Sequence, residues 1–91
     1  MKKSVRIGVS RFLVNIYHWE NKPEGLIEYN ELRESVVPKI MSKAAFYRYW
    51  KQAREEKLIK AKLVCFDMFL YLTKKGIKLL EKHTDAMKYK R

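Results

Sequence analysis

Apolar residues recur with a helical period at the start of the chain. Val5, Val9, Phe12, Leu13, Ile16 and Tyr17 form one stripe over residues 4–19, while Arg6, Arg11, Asn15 and His18 lie off it. That spacing predicts an amphipathic helix. The run Asn21-Lys22-Pro23-Glu24-Gly25 ends it, because Pro and Gly both interrupt helix. Residues 26–29, Leu-Ile-Glu-Tyr, predict a short strand of mixed polarity. Asn30 is a favoured N-cap residue, and Glu31 then places negative charge in a first helical turn. Leu32 and Val36 face inward from this second helix, which is short because Pro38 disfavours helix at Val37. Ser42 caps a third helix expected over 42–57, with Phe46, Tyr49, Trp50 and Ala53 as its apolar stripe.

Beyond residue 58 the pattern changes to β-formers. Ile59, Val64, Phe66, Phe69 and Tyr71 predict two strands, over 59–65 and 68–72, with Asp67 marking the turn. An apolar strand ends at Leu72, and the Thr73 hydroxyl is placed to cap the helix that follows. Gly76 permits close backbone packing at this joint. The last helix is expected over 74–87, with Ile77, Leu80, Thr84 and Met87 on one face and Leu79 and His83 beside it. The tail, Lys88-Tyr89-Lys90-Arg91, is expected to fray. The order is α-(β)-α-α-β-β-α, an α+β class.

A chain of 91 residues forms one domain, 1–91. Its small core makes a homodimer favourable, and Ile77, Leu80, Thr84 and Met87, with Val5 and Val9, are the expected interface. Hydrophobic residues are 47% and charged residues 34%, which excludes a disordered chain. The formal net charge of +11 points to a polyanionic partner, nucleic acid ahead of an acidic membrane surface. No apolar run approaches the ~18 residues of a membrane span. Arg6 and Arg11 interrupt what would be a signal-peptide core. A single cysteine, Cys65, excludes an internal disulfide. The expected location is the cytoplasm, and abundant Lys with one Gln leans towards a thermophilic source.

The charge concentrates on the third helix. Residues 35–54 contain no acidic side chain, and Lys39, Lys43, Arg48, Lys51 and Arg54 lie among them. Lys43, Tyr47, Lys51 and Arg54 share one helical face, flanked by Ala44 and Arg48, opposite the apolar stripe. Lys and Arg suit phosphates or guanine edges, and Ala44 admits a thymine methyl. A solvated basic face is the plain alternative.

The stretch Leu70-Tyr71-Leu72-Thr73-Lys74-Lys75-Gly76 resembles the strand-to-helix joint of winged-helix DNA-binding domains. A Leu-Thr-x-x-Gly element at this place is similar to that of MarR-like and PadR-like repressors. Tyr47 matches a PadR-like tyrosine, and Leu58-Ile59 the pair that precedes the wing. Lys57 departs from the pattern, which has glycine there. Small basic winged-helix regulators of archaea and their viruses are similar in size and charge. The resemblance implies a helix-turn-helix over 30–57, a two-stranded wing over 58–72 and a final helix. It implies double-stranded DNA binding by a transcriptional regulator, with Lys43, Tyr47, Arg48 and Lys51 at the groove. Ser42, Lys39 and Lys62 would meet phosphates. A sequence-nonspecific architectural DNA binder and a protein-interaction module are the competing classes.

The wing tip, residues 64–69, has no cation. Either Lys60 and Lys62 make its DNA contacts, or the tip packs on another element or subunit, which is the favoured expectation. Cys65 reads as a small apolar strand residue, against a redox switch or an intersubunit disulfide. Trp19 and Trp50 are stacking candidates, though Trp50 lies on the core stripe, expected near Phe12 and Ile16. His18 and His83 have no metal-ligand neighbours, no glycine-rich phosphate loop is present, and Glu55-Glu56 reads as a solvated helix end. No metal, cofactor or enzymatic activity is expected.

Overall fold

The computed structural model describes residues 2–17 and 26–91. The expected helix break at 21–25, together with His18 and Trp19, lies outside the described residues. The described elements are α1 (Lys3–Leu13), β1 (Ile27–Glu28), α2 (Tyr29–Val36), α3 (Lys43–Glu55), β2 (Ile59–Val64), β3 (Asp67–Leu72) and α4 (Lys74–Lys82). A 3₁₀ helix, Thr84–Tyr89, follows. The fold is α+β, with a three-stranded antiparallel sheet ordered β1-β3-β2.

The stripe of α1 is buried as its spacing requires: Val9, Phe12 and Leu13 are inaccessible to solvent. The α-helix stops at Leu13, earlier than expected. There the Asn15 and Ile16 amides turn to carbonyls three residues back, tightening the chain into a turn. Asn15, expected on the polar side, is buried. Its amide is satisfied at both ends: Nδ2 donates to the Arg11 carbonyl at 2.8 Å, and Oδ1 accepts the Arg91 amide at 2.6 Å. Arg91 Nε also donates to the Asn15 carbonyl at 2.8 Å, and Arg11 lies 4.2 Å over the Tyr89 ring. The tail is therefore docked on α1, and the expectation of fraying is corrected.

Helix α2 begins one residue before its expected cap. Glu28, rather than Asn30, occupies the N-cap, and its carboxylate accepts the Asn30 and Glu31 amides at 3.0 and 2.9 Å. These two bonds hold the Glu28 pKa below its ordinary value. The helix ends at Val36, with Val37 extended before a cis Val37–Pro38 bond. Ser42 caps α3 as expected, accepting the Ala45 amide at 3.2 Å. From α3, Phe46 reaches Phe12 edge to face at 5.3 Å. Trp50 is half-buried, lies 5.5 Å from Tyr29, and packs against the core cluster that contains Phe12 and Ile16. Gly8, whose role the sequence did not announce, lets α3 approach α1: a β-carbon there would collide with the Tyr49 ring.

Between α3 and β2, Lys57 takes φ 59°, the left-handed conformation that favours glycine. A lysine thus adopts here the backbone conformation that a glycine would take more easily. Strands β2 and β3 pair in full register from Ile59–Leu72 to Val64–Asp67. The turn is Cys65-Phe66, not Asp67, and Cys65 supplies the positive φ of 56° that a tight two-residue hairpin requires. At the other end of β3, the Thr73 amide donates to the Leu58 carbonyl at 3.0 Å. The Thr73 hydroxyl donates to the Lys57 carbonyl at 2.8 Å and accepts the Gly76 amide at 3.1 Å, capping α4. A β-carbon at Gly76 would strike the Leu58 carbonyl oxygen, so the close approach expected of this glycine is present.

Helix α4 ends at Lys82, and Thr84 and Met87 belong to the 3₁₀ turn. Leu80 is buried with Val14 and Ala86 in a small second core, and Met87 packs against it. Val9 is buried in the main core and Val5 packs on it. The expected dimer face is thereby corrected: Leu80 and Val9 are spent inside the chain, and Ile77, Leu80, Thr84 and Met87 do not form one open helical stripe.

Gly76→Ala is expected to lower stability by roughly 1–3 kcal/mol, because the obstacle is backbone and cannot swing away. Gly8→Ala should cost less, since a Tyr49 ring can rotate aside. Lys57→Gly should raise stability by up to about 1 kcal/mol, relieving the left-handed backbone at a partial entropic cost. Urea unfolding of the three variants measures these differences.

Candidate nucleic-acid interface

The two sides of α3 separate as the sequence requires. Phe46 and Ala53 are inaccessible, while Lys43, Ala44, Arg48, Lys51 and Arg54 are exposed. Lys39 is exposed in the turn before α3, and Ser42 is exposed but uses its hydroxyl as the cap. One side chain departs from the expected face. Tyr47 is half-buried, its ring 5.8 Å from Phe46, and its hydroxyl accepts a hydrogen bond from Arg33 Nη1 at 3.1 Å. It therefore links α3 to α2.

Sequence reasoning missed Arg33 and Tyr29 in this link. Burial and the hydrogen bond to Tyr47 push the Tyr29 phenol up to about 12. The Arg33 guanidinium, and then Tyr29, pull the Tyr47 phenol down. The same Tyr47 bond raises Arg33. The only trace in the sequence is the i, i+4 spacing of Tyr29 and Arg33. Placing Tyr47 against them needed the turn geometry between the helices.

Two arginines of α3 rest on rings of their own helix. Arg48 lies 5.0 Å over Tyr49 and donates to its hydroxyl at 3.2 Å. Arg54 lies 5.0 Å over Trp50. Trp50 Nε1 is buried and finds no acceptor among the described residues. Both guanidiniums keep their charge at the surface while a ring face attracts them.

The hairpin carries a second cationic strip. Cross-strand pairs place Lys60 beside Tyr71 and Lys62 beside Phe69 on one face, with Ala61 beside Leu70 and Leu63 beside Met68 on the other. Beyond Ile59 every residue of β2 is exposed. Leu63 is 74% exposed, Val64 42% and Phe66 100%. Among the described residues no other element covers the tip, which corrects the expectation that a neighbouring element would bury it. Cys65 is exposed in the turn and is not a strand residue.

Cationic surface is not confined to these elements. Lys3, Arg11, Lys82 and Lys88 line a shallow cleft of about 380 Å³ between α1 and the 3₁₀ helix, with His83 and Asp85. Among the described residues no group of three metal-ligating side chains comes together, and no helix is long and apolar enough to cross a membrane. No protein family, curated protein or solved structure matches the chain.

The exposure of Cys65 has a direct readout. A thiol reagent should modify one cysteine per chain in the folded protein as fast as in urea. Strong protection without denaturant would mean that the tip is covered in solution.

Proposed function

We propose that this chain binds double-stranded DNA as a small winged helix-turn-helix regulator, with α3 laid in the major groove. The observation that carries the reading is the exposed cationic face of α3 on a helix whose opposite face is fixed by Phe46 and Ala53. A helix meant to read bases must be rigid on one side and open on the other. The element order and the Thr73–Gly76 joint support the same reading. In it, Arg48, Lys43 and Lys51 address base edges and Ala44 admits a close approach. Lys39, Arg54, Lys60 and Lys62 hold phosphates. Tyr47, tied to Arg33, positions α3 on α2 rather than reading bases.

The competing architectural reading shares the charge but needs no preferred sequence. Selection from a random duplex pool at near-physiological salt separates the two, and an enriched palindrome would indicate two copies per site. Binding should weaken steeply with salt, at a slope of about −0.9 per phosphate neutralised. Arg48→Ala should cost roughly 1–3 kcal/mol at the preferred site and relax specificity there. Lys39→Ala should weaken all sequences alike and flatten the salt slope by about 1. Titration of labelled duplexes at several salt concentrations reads both effects. Unchanged binding by Arg48→Ala and Lys43→Ala would remove α3 from the interface.

A further inference from the structure

The hairpin tip is apolar on a chain of net charge +11. Leu63, Val64, Cys65 and Phe66 are consecutive and all exposed, and the Phe66 ring is wholly in water. An aromatic ring left in water forgoes about 1.5–3 kcal/mol of burial. The positive φ of Cys65 closes the turn tightly and sets Phe66 at its apex. Behind the tip on the same strand stand Lys60 and Lys62, both exposed. At about 3.3 Å per residue, Lys62 is roughly 10 Å back from the turn. A complementary partner therefore presents negative charge at its rim and flat apolar surface inside.

Duplex DNA has that arrangement, with phosphates along the groove edges and stacked bases between them. Phe66 has no polar atom with which to hydrogen-bond a base edge. Its favourable contact there is insertion between two base pairs, as apolar side chains do in proteins that kink DNA from the minor groove. A second copy fits less well, because pairing two β2 edges would bring the lysines of both strands together. Asp67, across from Val64, opposes a phosphate contact at the apex itself and leaves that attraction to Lys60 and Lys62.

We propose that the β2–β3 tip is a wedge: Phe66 enters an easily unstacked base step of duplex DNA while Lys60 and Lys62 hold the flanking phosphates. The inference rests on the duplex-binding reading and adds to it a deformation of the DNA. The preferred steps are pyrimidine–purine ones, which unstack most readily.

The test uses the full chain and short duplexes carrying 2-aminopurine beside TA steps, with end-labelled duplexes to report bending. Wild type should raise the 2-aminopurine fluorescence and shorten the end-to-end distance. Phe66→Ala, whose melting should be unchanged because the ring is solvent-exposed, should abolish both signals. It should bind roughly 5- to 10-fold more weakly at an unaltered salt slope. Phe66→Leu should retain part of the unstacking. If wild type binds without unstacking, or Phe66→Ala unstacks equally, the wedge is overturned and duplex binding stands. If wild type binds no duplex, the broader reading falls and the wedge with it. If Phe66→Ala leaves DNA binding intact but abolishes self-association or binding to anionic vesicles, the tip serves a second copy or a lipid surface, and the wedge is overturned.

Discussion

The Leu58 carbonyl is the point on which the C-terminal half of the molecule converges. It accepts the Thr73 amide, which closes the open end of the hairpin, and it lies so near α4 that only glycine fits at residue 76. The neighbouring Lys57 carbonyl takes the Thr73 hydroxyl, while the Thr73 oxygen caps α4. One threonine thus fixes the end of α3's connection, the base of β3 and the start of α4. The direction in which the hairpin projects, and with it the placement of Lys60, Lys62 and Phe66, follows from this junction. Polar groups that satisfy one another in this way hold a geometry that apolar packing alone leaves loose.

The other half is organised by aromatic packing. Phe46 meets Phe12, Tyr29 and Tyr47, and Tyr29 in turn meets Trp50. These contacts lock α3 against α1 and α2 from one side. The Arg33–Tyr47 bond adds a polar link on the α2 side, so the attitude of α3 is fixed from two directions. The exposed cations are consequently carried on a firm element rather than on a loop, which is what a geometric reader of another surface needs.

The periodic signals were the legible part of the sequence. The buried stripes of α1, α2 and α3, the Ser42 cap, the hairpin and the Thr73–Gly76 joint all follow from spacing and residue type. Termini and turns were less legible, because alternatives of similar energy competed. Asn30 and Glu28 are both able to cap α2, and the longer Glu28 side chain captures two amides. Asp67 is the better turn former by composition, yet strand register puts the turn at Cys65-Phe66. The α4 stripe continued on paper to Met87, but Leu80 and Ala86 pack on Val14 only if the chain tightens after Lys82. In the candidate site, the exposed cations were readable from the face they share. Tyr47 was not, because its hydroxyl partner comes from fourteen residues away. The docking of Arg91 on Asn15 has no local signal at all.

The ring-braced arginines of α3 bear on entropy rather than charge. A free arginine on a helix surface samples many rotamers, and fixing such a side chain against a partner costs about 0.5–1.5 kcal/mol. Arg48 and Arg54 already lie over the rings of Tyr49 and Trp50. Part of their conformational freedom is surrendered on folding, before any partner arrives. The ordering penalty that would oppose each contact is reduced in advance, and the position of each guanidinium is set by the protein before it meets anything else.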